Sequence, residues 1–174
     1  PCRVDFTLTL ADTKTEKKEI VKGVVVMKDK KFKLTTPKVH SYFDGKTQYV
    51  HLLKNKEVSI STPGFEELQN TNPALILTSY TKQSTVQFSL DSKASLPYHI
   101  IDVFPDYKAK KAYYKAIVKI DKKTNNLISI KVLSQTGVHT TFVVNSFKKD
   151  LKYNDNFFVF DFKSNPNVIT NDLR

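Results

Sequence analysis

Tryptophan is absent from this 174-residue chain, arginine stands only at positions 3 and 174, and cysteine and methionine occur once each. Each shortage excludes something. A lone thiol, Cys2, forms no intramolecular disulfide, and within an alternating stretch it is expected to be a small buried hydrophobe. No apolar run approaches the roughly 18 residues that a membrane-spanning helix needs. Arginine is the side chain that forks onto phosphate and guanine, so a net charge of +11 carried almost wholly by dispersed lysines argues against a nucleic-acid interface. Lysines spread over strand faces serve solubility and guard sheet edges. The chain opens at Pro1 rather than Met, which points to a leader upstream of the sequence read here.

Catalytic and metal-binding patterns are missing too. His40, His51, His99 and His139 fall on separate predicted strands, and none has metal-ligand spacing to Cys2 or to a carboxylate. There is no Gly-x-Ser-x-Gly elbow. Gly45-Lys46-Thr47 imitates the end of a phosphate-binding loop, but His40 occupies the required glycine position and the triplet opens a strand instead of a helix. No cofactor, no metal and no enzymatic activity are expected.

What the sequence holds is a period of two, almost everywhere. Val4, Phe6, Leu8 and Leu10 alternate with polar residues, and Glu19–Lys28 is β-branched around Gly23, where a bulge or bend is expected. Residues 31–63 carry four short strands separated by Thr36-Pro37, Asp44-Gly45 and Lys54-Asn55-Lys56. Gly45 tolerates positive φ and is predicted to reverse the chain there. Helical spacing replaces alternation only at 65–70 and 73–80, the second behind an Asn72-Pro73 start signal. Strands resume at 85–90, 97–104, 112–120, 127–133 and 138–147, and the run Phe157–Phe162 reads as a short aromatic last strand. Ten or eleven strands with short turns predict a mainly β fold. The expected form is one curved antiparallel sheet making an incomplete barrel, with the two helices over one mouth, in a single domain spanning 1–174.

Twelve Phe and eight Tyr exceed what a small dry core requires. Strand parity and helical spacing put one apolar set on the concave side and under the helices: Phe6, Leu8, Met27, Phe32, Leu34, Val58, Ile60, Phe65, Leu68, Leu75, Ile76, Phe88, Tyr114, Val118, Ile130 and Phe142. Such a set either lines a cavity for an apolar ligand or fills a closed core.

Beyond these physical readings, the chain resembles the LolA family of periplasmic lipoprotein carriers, in its divergent LolA-like branch. The residues that carry the resemblance are Lys31-Phe32-Lys33-Leu34, Phe43-Asp44-Gly45-Lys46-Thr47-Gln48-Tyr49, Glu57-Val58, Pro63 with Glu66-Glu67-Leu68, Asn72-Pro73, and the ending Asn167-Val168-Ile169 through Asp172-Leu173-Arg174. It implies a half-open barrel lidded by helices, whose cavity holds the acyl chains of lipidated proteins. It also implies a periplasmic monomer that receives cargo from an inner-membrane ABC-type release complex and passes it towards an outer-membrane acceptor. Two features depart from the family: the amphipathic first helix is not in this sequence, and Lys28, Lys30 and Lys31 stand where better-known members have a lid-fastening arginine. A LolB-type receptor and a ligand-free β interaction domain that meets acidic surfaces through its lysines are the alternative readings. For the receptor, Pro1 does not fit the small residue expected before a lipid-modified cysteine.

Overall fold

A computed structural model describes residues 1–64, 67, 68, 83–106, 108 and 111–174. The strands are β1 (Cys2–Asp12), β2 (Lys18–Lys28), β3 (Lys31–Thr35), β4 (Val39–Phe43), β5 (Gln48–Leu52), β6 (Glu57–Ser61), β7 (Ser84–Phe88), β8 (Tyr98–Pro105), β9 (Tyr113–Asp121), β10 (Leu127–Ser134), β11 (Val138–Lys148) and β12 (Ile169–Asp172). They form one 12-stranded sheet in the order β12-β6-β5-β4-β3-β2-β1-β11-β10-β9-β8-β7, which is not closed. The predicted helices fall almost entirely outside the described residues. At 67 and 68 the backbone is helical, and Leu68 N–H donates to Gly64 O at 3.1 Å while Gly64 N–H donates to the Glu67 carboxylate at 2.9 Å. The Glu67 bond is the carboxylate half of a capping box, and the Leu68 bond is the first i→i−4 bond of the turn.

Two expectations need correction. The sheet is mixed, because β12 runs parallel to β6, pairing Thr170 with Val58 and Asp172 with Ile60. Residues 157–162 are not a strand: Asn154 caps a 3-10 turn at Asp155–Phe158, its side-chain oxygen accepting from Phe157 N–H at 3.1 Å. Strand β2 runs from Lys18 to Lys28 through Gly23, and register shifts occur in the β9–β10 pair.

The turns share a device. Asp44 accepts from Lys46 N–H at 2.9 Å and Thr47 N–H at 2.8 Å, which lets Gly45 take φ +103° and hand the chain from β4 to β5, leaving Lys46 exposed. Asp12 does the same for Lys14 and Thr15, Asp121 for Lys123 and Thr124, and Asp161 for Lys163 and Ser164. An Asp-x-Lys-Thr/Ser tetrapeptide thus recurs at four turns, each carboxylate standing in for a backbone acceptor. These bonds hold the carboxyls of Asp12 and Asp121 below their ordinary values, and the Ser164 hydroxyl, ahead of the backbone bonds, does so for Asp161.

The chain divides into two compact units. Unit 1 holds Pro1–Asp5, β3 to β6 and Ser146–Arg174, and unit 2 holds Phe6–Val21 and β7 to β10 with most of β11. In unit 1, residues 153–162 lie across one face of the sheet. Phe160 meets the rings of Tyr42 at 5.7 Å and His51 at 5.1 Å, and Phe158 is fully buried. Lys28 and Lys31 both reach the Asp155 carboxylate, at 2.8 and 2.7 Å, and hold its pKa down at about 2. Lys33 sits over the Tyr42 and Phe157 rings at 4.8 and 4.4 Å. A methylene stem and an ammonium over aromatic faces bury as one layer, which explains a half-buried lysine without a carboxylate partner among the described residues.

Candidate functional site

Directly opposed residues of an antiparallel pair point to the same side of a sheet. In unit 2, Phe142 opposes Ile130, Ile130 opposes Val118, Val118 opposes Ile101, and Ile101 opposes Phe88. An apolar row therefore crosses β11, β10, β9, β8 and β7. Phe6 joins it by stacking on Phe142 with ring centroids 4.9 Å apart, and Leu8 follows on the same parity of β1, partly buried. A second row, Val132, Ala116, Val103 and Val86, runs beside the first. The middle of these rows is a packed cluster of Val103, Tyr113, Ala116, Val118, Ile130 and Val132. Its β7 end is bare: Phe88 is 66 % and Val86 49 % exposed.

The other side of unit 2 is built differently. Asp102 is buried, with Oδ2 at 2.8 Å from Lys115 Nζ and Oδ1 with no hydrogen-bond partner. Lys115 lies 5.4 Å from the Phe104 ring centroid and Lys119 4.8 Å from that of Tyr98. A charged pair with one orphaned oxygen is no place for a hydrocarbon chain.

The expected apolar set does not gather on one side throughout. In unit 1, Met27 opposes Phe32, Val25 opposes Leu34, and Phe32 opposes Phe43, so Met27, Phe32 and Leu34 share a face. Val58 and Ile60 are on the opposite one. They oppose His51 and Tyr49, whose rings pack on Phe160 from the C-terminal segment. Parity put the apolar side of β6 with the set, but that side is claimed by Phe160, in a segment whose role as a cover no periodicity announces. Tyr114 is also misplaced. The β9–β10 register slips between Leu133 and Ser134, so Ser134 opposes Tyr113; Tyr113 is buried in the cluster and Tyr114 is exposed. The same slip at Leu127/Ser129 puts Leu127 against the cluster. Leu68 is buried, and Phe65, Leu75 and Ile76 lie outside the described residues. A depression of about 400 Å³ in unit 1 is bordered by Cys2, Met27 and Phe147, and of the expected set it touches Met27 alone.

Among the described residues no three His, Cys, Asp or Glu side chains are grouped to hold a metal ion. Two histidines meet in unit 1, His40 beside His51, with ring centroids 6.2 Å apart. Burial, aided by His51 and Lys33, keeps His40 below its ordinary pKa. No helix among the described residues is long and apolar enough to cross a membrane.

A mainly β chain with one open 12-stranded sheet has counterparts among solved structures. The structure matches an uncharacterized conserved protein from Thermus thermophilus at 10 % identity and TM-score 0.58, covering 97 % of this chain and 90 % of that one. It also matches a LolA superfamily protein from Nitrosomonas europaea, at 9 % identity and TM-score 0.47, with 92 % and 90 % covered. A lipoprotein-sorting domain from Vibrio parahaemolyticus follows at 10 % identity and TM-score 0.43, with 90 % and 88 % covered. At these identities the likeness is one of fold. No family model and no curated protein matches the sequence.

Proposed function

We propose that this chain is a divergent LolA-like carrier that shelters the acyl chains of lipidated proteins on the apolar rows of unit 2, and that it makes and breaks no bond. The observation that supports this most is the run of opposed apolar residues from Phe142 to Phe88, buried at its middle and uncovered at β7. A closed core ends where its cover ends, and a contiguous apolar patch left open is the usual mark of a binding surface. Each CH₂ taken from water contributes about 0.8 kcal/mol, so one acyl chain laid along such a surface is firmly held. Release requires a second apolar surface to receive it. In this reading the sheet is an incomplete barrel, and the protein works in the periplasm between an inner-membrane ABC-type release complex and an outer-membrane acceptor.

The test is displacement of a fluorescent fatty acid. Wild type is expected to bind the probe. Phe88→Glu, a change at an exposed rim position that leaves the fold intact, is expected to weaken binding by roughly tenfold. A wild-type protein that binds no probe contradicts the carrier reading and leaves the ligand-free interaction domain.

A further inference from the structure

The row ends at β7, which is an edge strand among the described residues. Ser89 N–H donates to Ile100 O and Asp106 N–H to Gln83 O, both at 2.9 Å. These bonds bracket the β7–β8 ladder, so by its alternation the odd-numbered residues of β7 bond to β8. Val86 and Phe88 therefore turn their N–H and C=O outward, away from β8. Strand β7 has no neighbour on that side among the described residues. Its five residues, Ser84–Phe88, carry no charge. In a chain with 28 basic residues this is notable, because an edge is ordinarily guarded by a charge within the strand, and here the nearest in sequence is Lys82, two residues ahead of it. The side chains of Val86 and Phe88 lie with the apolar rows and are half or more exposed.

We infer that the outward edge of β7 is a docking site for an extended peptide segment of the cargo, next to its acylated residue, added to the sheet as a further strand. Main-chain donors and acceptors pointing outward at strand spacing are complementary to another strand. The absence of charge selects an uncharged segment, and Val86 and Phe88 select one with an apolar residue at every second position. Such a segment prolongs the rows by one strand, so the acyl chains and the peptide attached to them are held on one continuous surface. This rests on the carrier reading for the identity of the partner, but strand addition itself does not require a lipid.

The experiment separates the two. A fluorescent peptide of about ten alternating Val and Thr residues, without lipid, is titrated by anisotropy against the full chain, alongside the fatty-acid probe. Wild type is expected to bind both. Val86→Pro removes an outward N–H without touching the β8 ladder, a position where proline is tolerated, and is expected to weaken the peptide by at least about tenfold; because Val86 also belongs to the apolar rows, the two probes are compared on wild type. Phe88→Lys, which restores a guarding charge, is the second variant should the first fail to fold, and is expected to lose the peptide likewise. Hydrogen exchange on wild type is expected to show new protection at Val86 and Phe88 when the peptide is bound. Fatty-acid binding without peptide binding overturns the inference and leaves the carrier reading standing, as does a peptide unaffected by either variant. A concentration-dependent dimer in sedimentation that Val86→Pro abolishes overturns it in favour of a second copy of the chain at this edge.

Discussion

In unit 1 the aromatic side chains are covered by the chain's own C-terminal segment, with Phe158 fully buried and Phe160 nearly so, whereas in unit 2 the row of apolar residues runs out to a bare Phe88. Both are built from short antiparallel strands with similar turns. They differ in what completes them. Unit 1 carries its own cover: residues 153–162 fold back over β3 to β6, held by Asp155 to Lys28 and Lys31 and by rings on Tyr42, Tyr49 and His51. Unit 2 has no such segment among its described residues, and its apolar side remains partly open at β7. A surface that the chain covers itself contributes stability, and one left uncovered is available to a ligand.

Truncating aromatic side chains in the two places should separate these roles most sharply. Phe160→Ala is expected to destabilise the protein by about 3–5 kcal/mol, since the neighbours of a buried ring collapse only in part. Phe88→Ala is expected to change stability by no more than about 0.5 kcal/mol, as exposed substitutions do, while still weakening the fatty-acid probe. Urea melts followed by far-UV circular dichroism measure both. Equal losses in the two variants would erase the distinction between the units.

Next in size is the ion pair on the far side of unit 2. Lys115→Met leaves the buried Asp102 carboxylate without its partner, and its Oδ1 is already unsatisfied. A loss of about 3 kcal/mol is expected. Asp102→Leu, together with Lys115→Met, should recover most of that loss if the pair serves stability alone. The double variant should also leave fatty-acid binding unchanged, because it alters only the side opposite the rows.

The smallest effect is a pH dependence confined to unit 1. His40 is held below its ordinary value of 6.5, first by burial and then by the charges of His51 and Lys33. The unfolded chain binds that proton more readily, so His40 adds stability above pH 6.5 that is lost as the pH falls through this value and into the range below it. His40→Gln should flatten this part of the profile. A profile that stays as steep in the variant would assign the effect to another group. Acid acts again further down: Asp155, with its pKa at about 2, supports the C-terminal segment above pH 3.8 and ceases to as the pH drops from there towards 2.

The sheet was legible because its strands alternate, and eleven of its twelve strands follow from period two and turn chemistry. Parity carried that legibility only as far as the first bulge. Tyr114 and Ile128 have the pattern of core residues, yet Tyr113 and Leu127 take those places, because an extra residue in one strand shifts every side chain beyond it and leaves no mark in composition. Val58 and Ile60 were legible as buried, but not what shares their face, since Phe160, packed on the opposed Tyr49 and His51, comes from about a hundred residues further along the chain. The aromatic run at 157–162 has strand composition and is decided instead by Asn154, whose side chain caps a turn; an Asn-Asp pair ahead of it was the available signal. Strand β12 was hidden because all four of its residues are exposed and its partner β6 lies far back in the chain. The four Asp-x-Lys-Thr/Ser turns were in plain sight and are visible as a repeat once the hydrogen bonds are known.

The contrast between a self-covered unit 1 and a ligand-receiving unit 2 is tested most directly by photo-crosslinking. A fatty acid bearing a diazirine along its chain is bound, irradiated, and its attachment points mapped by mass spectrometry. Adducts on β7 and β8, at and around Val86, Phe88 and Ile101, are the result this account predicts. Adducts confined to β3–β6 and residues 153–168, or none above the level of a competed control, would contradict it.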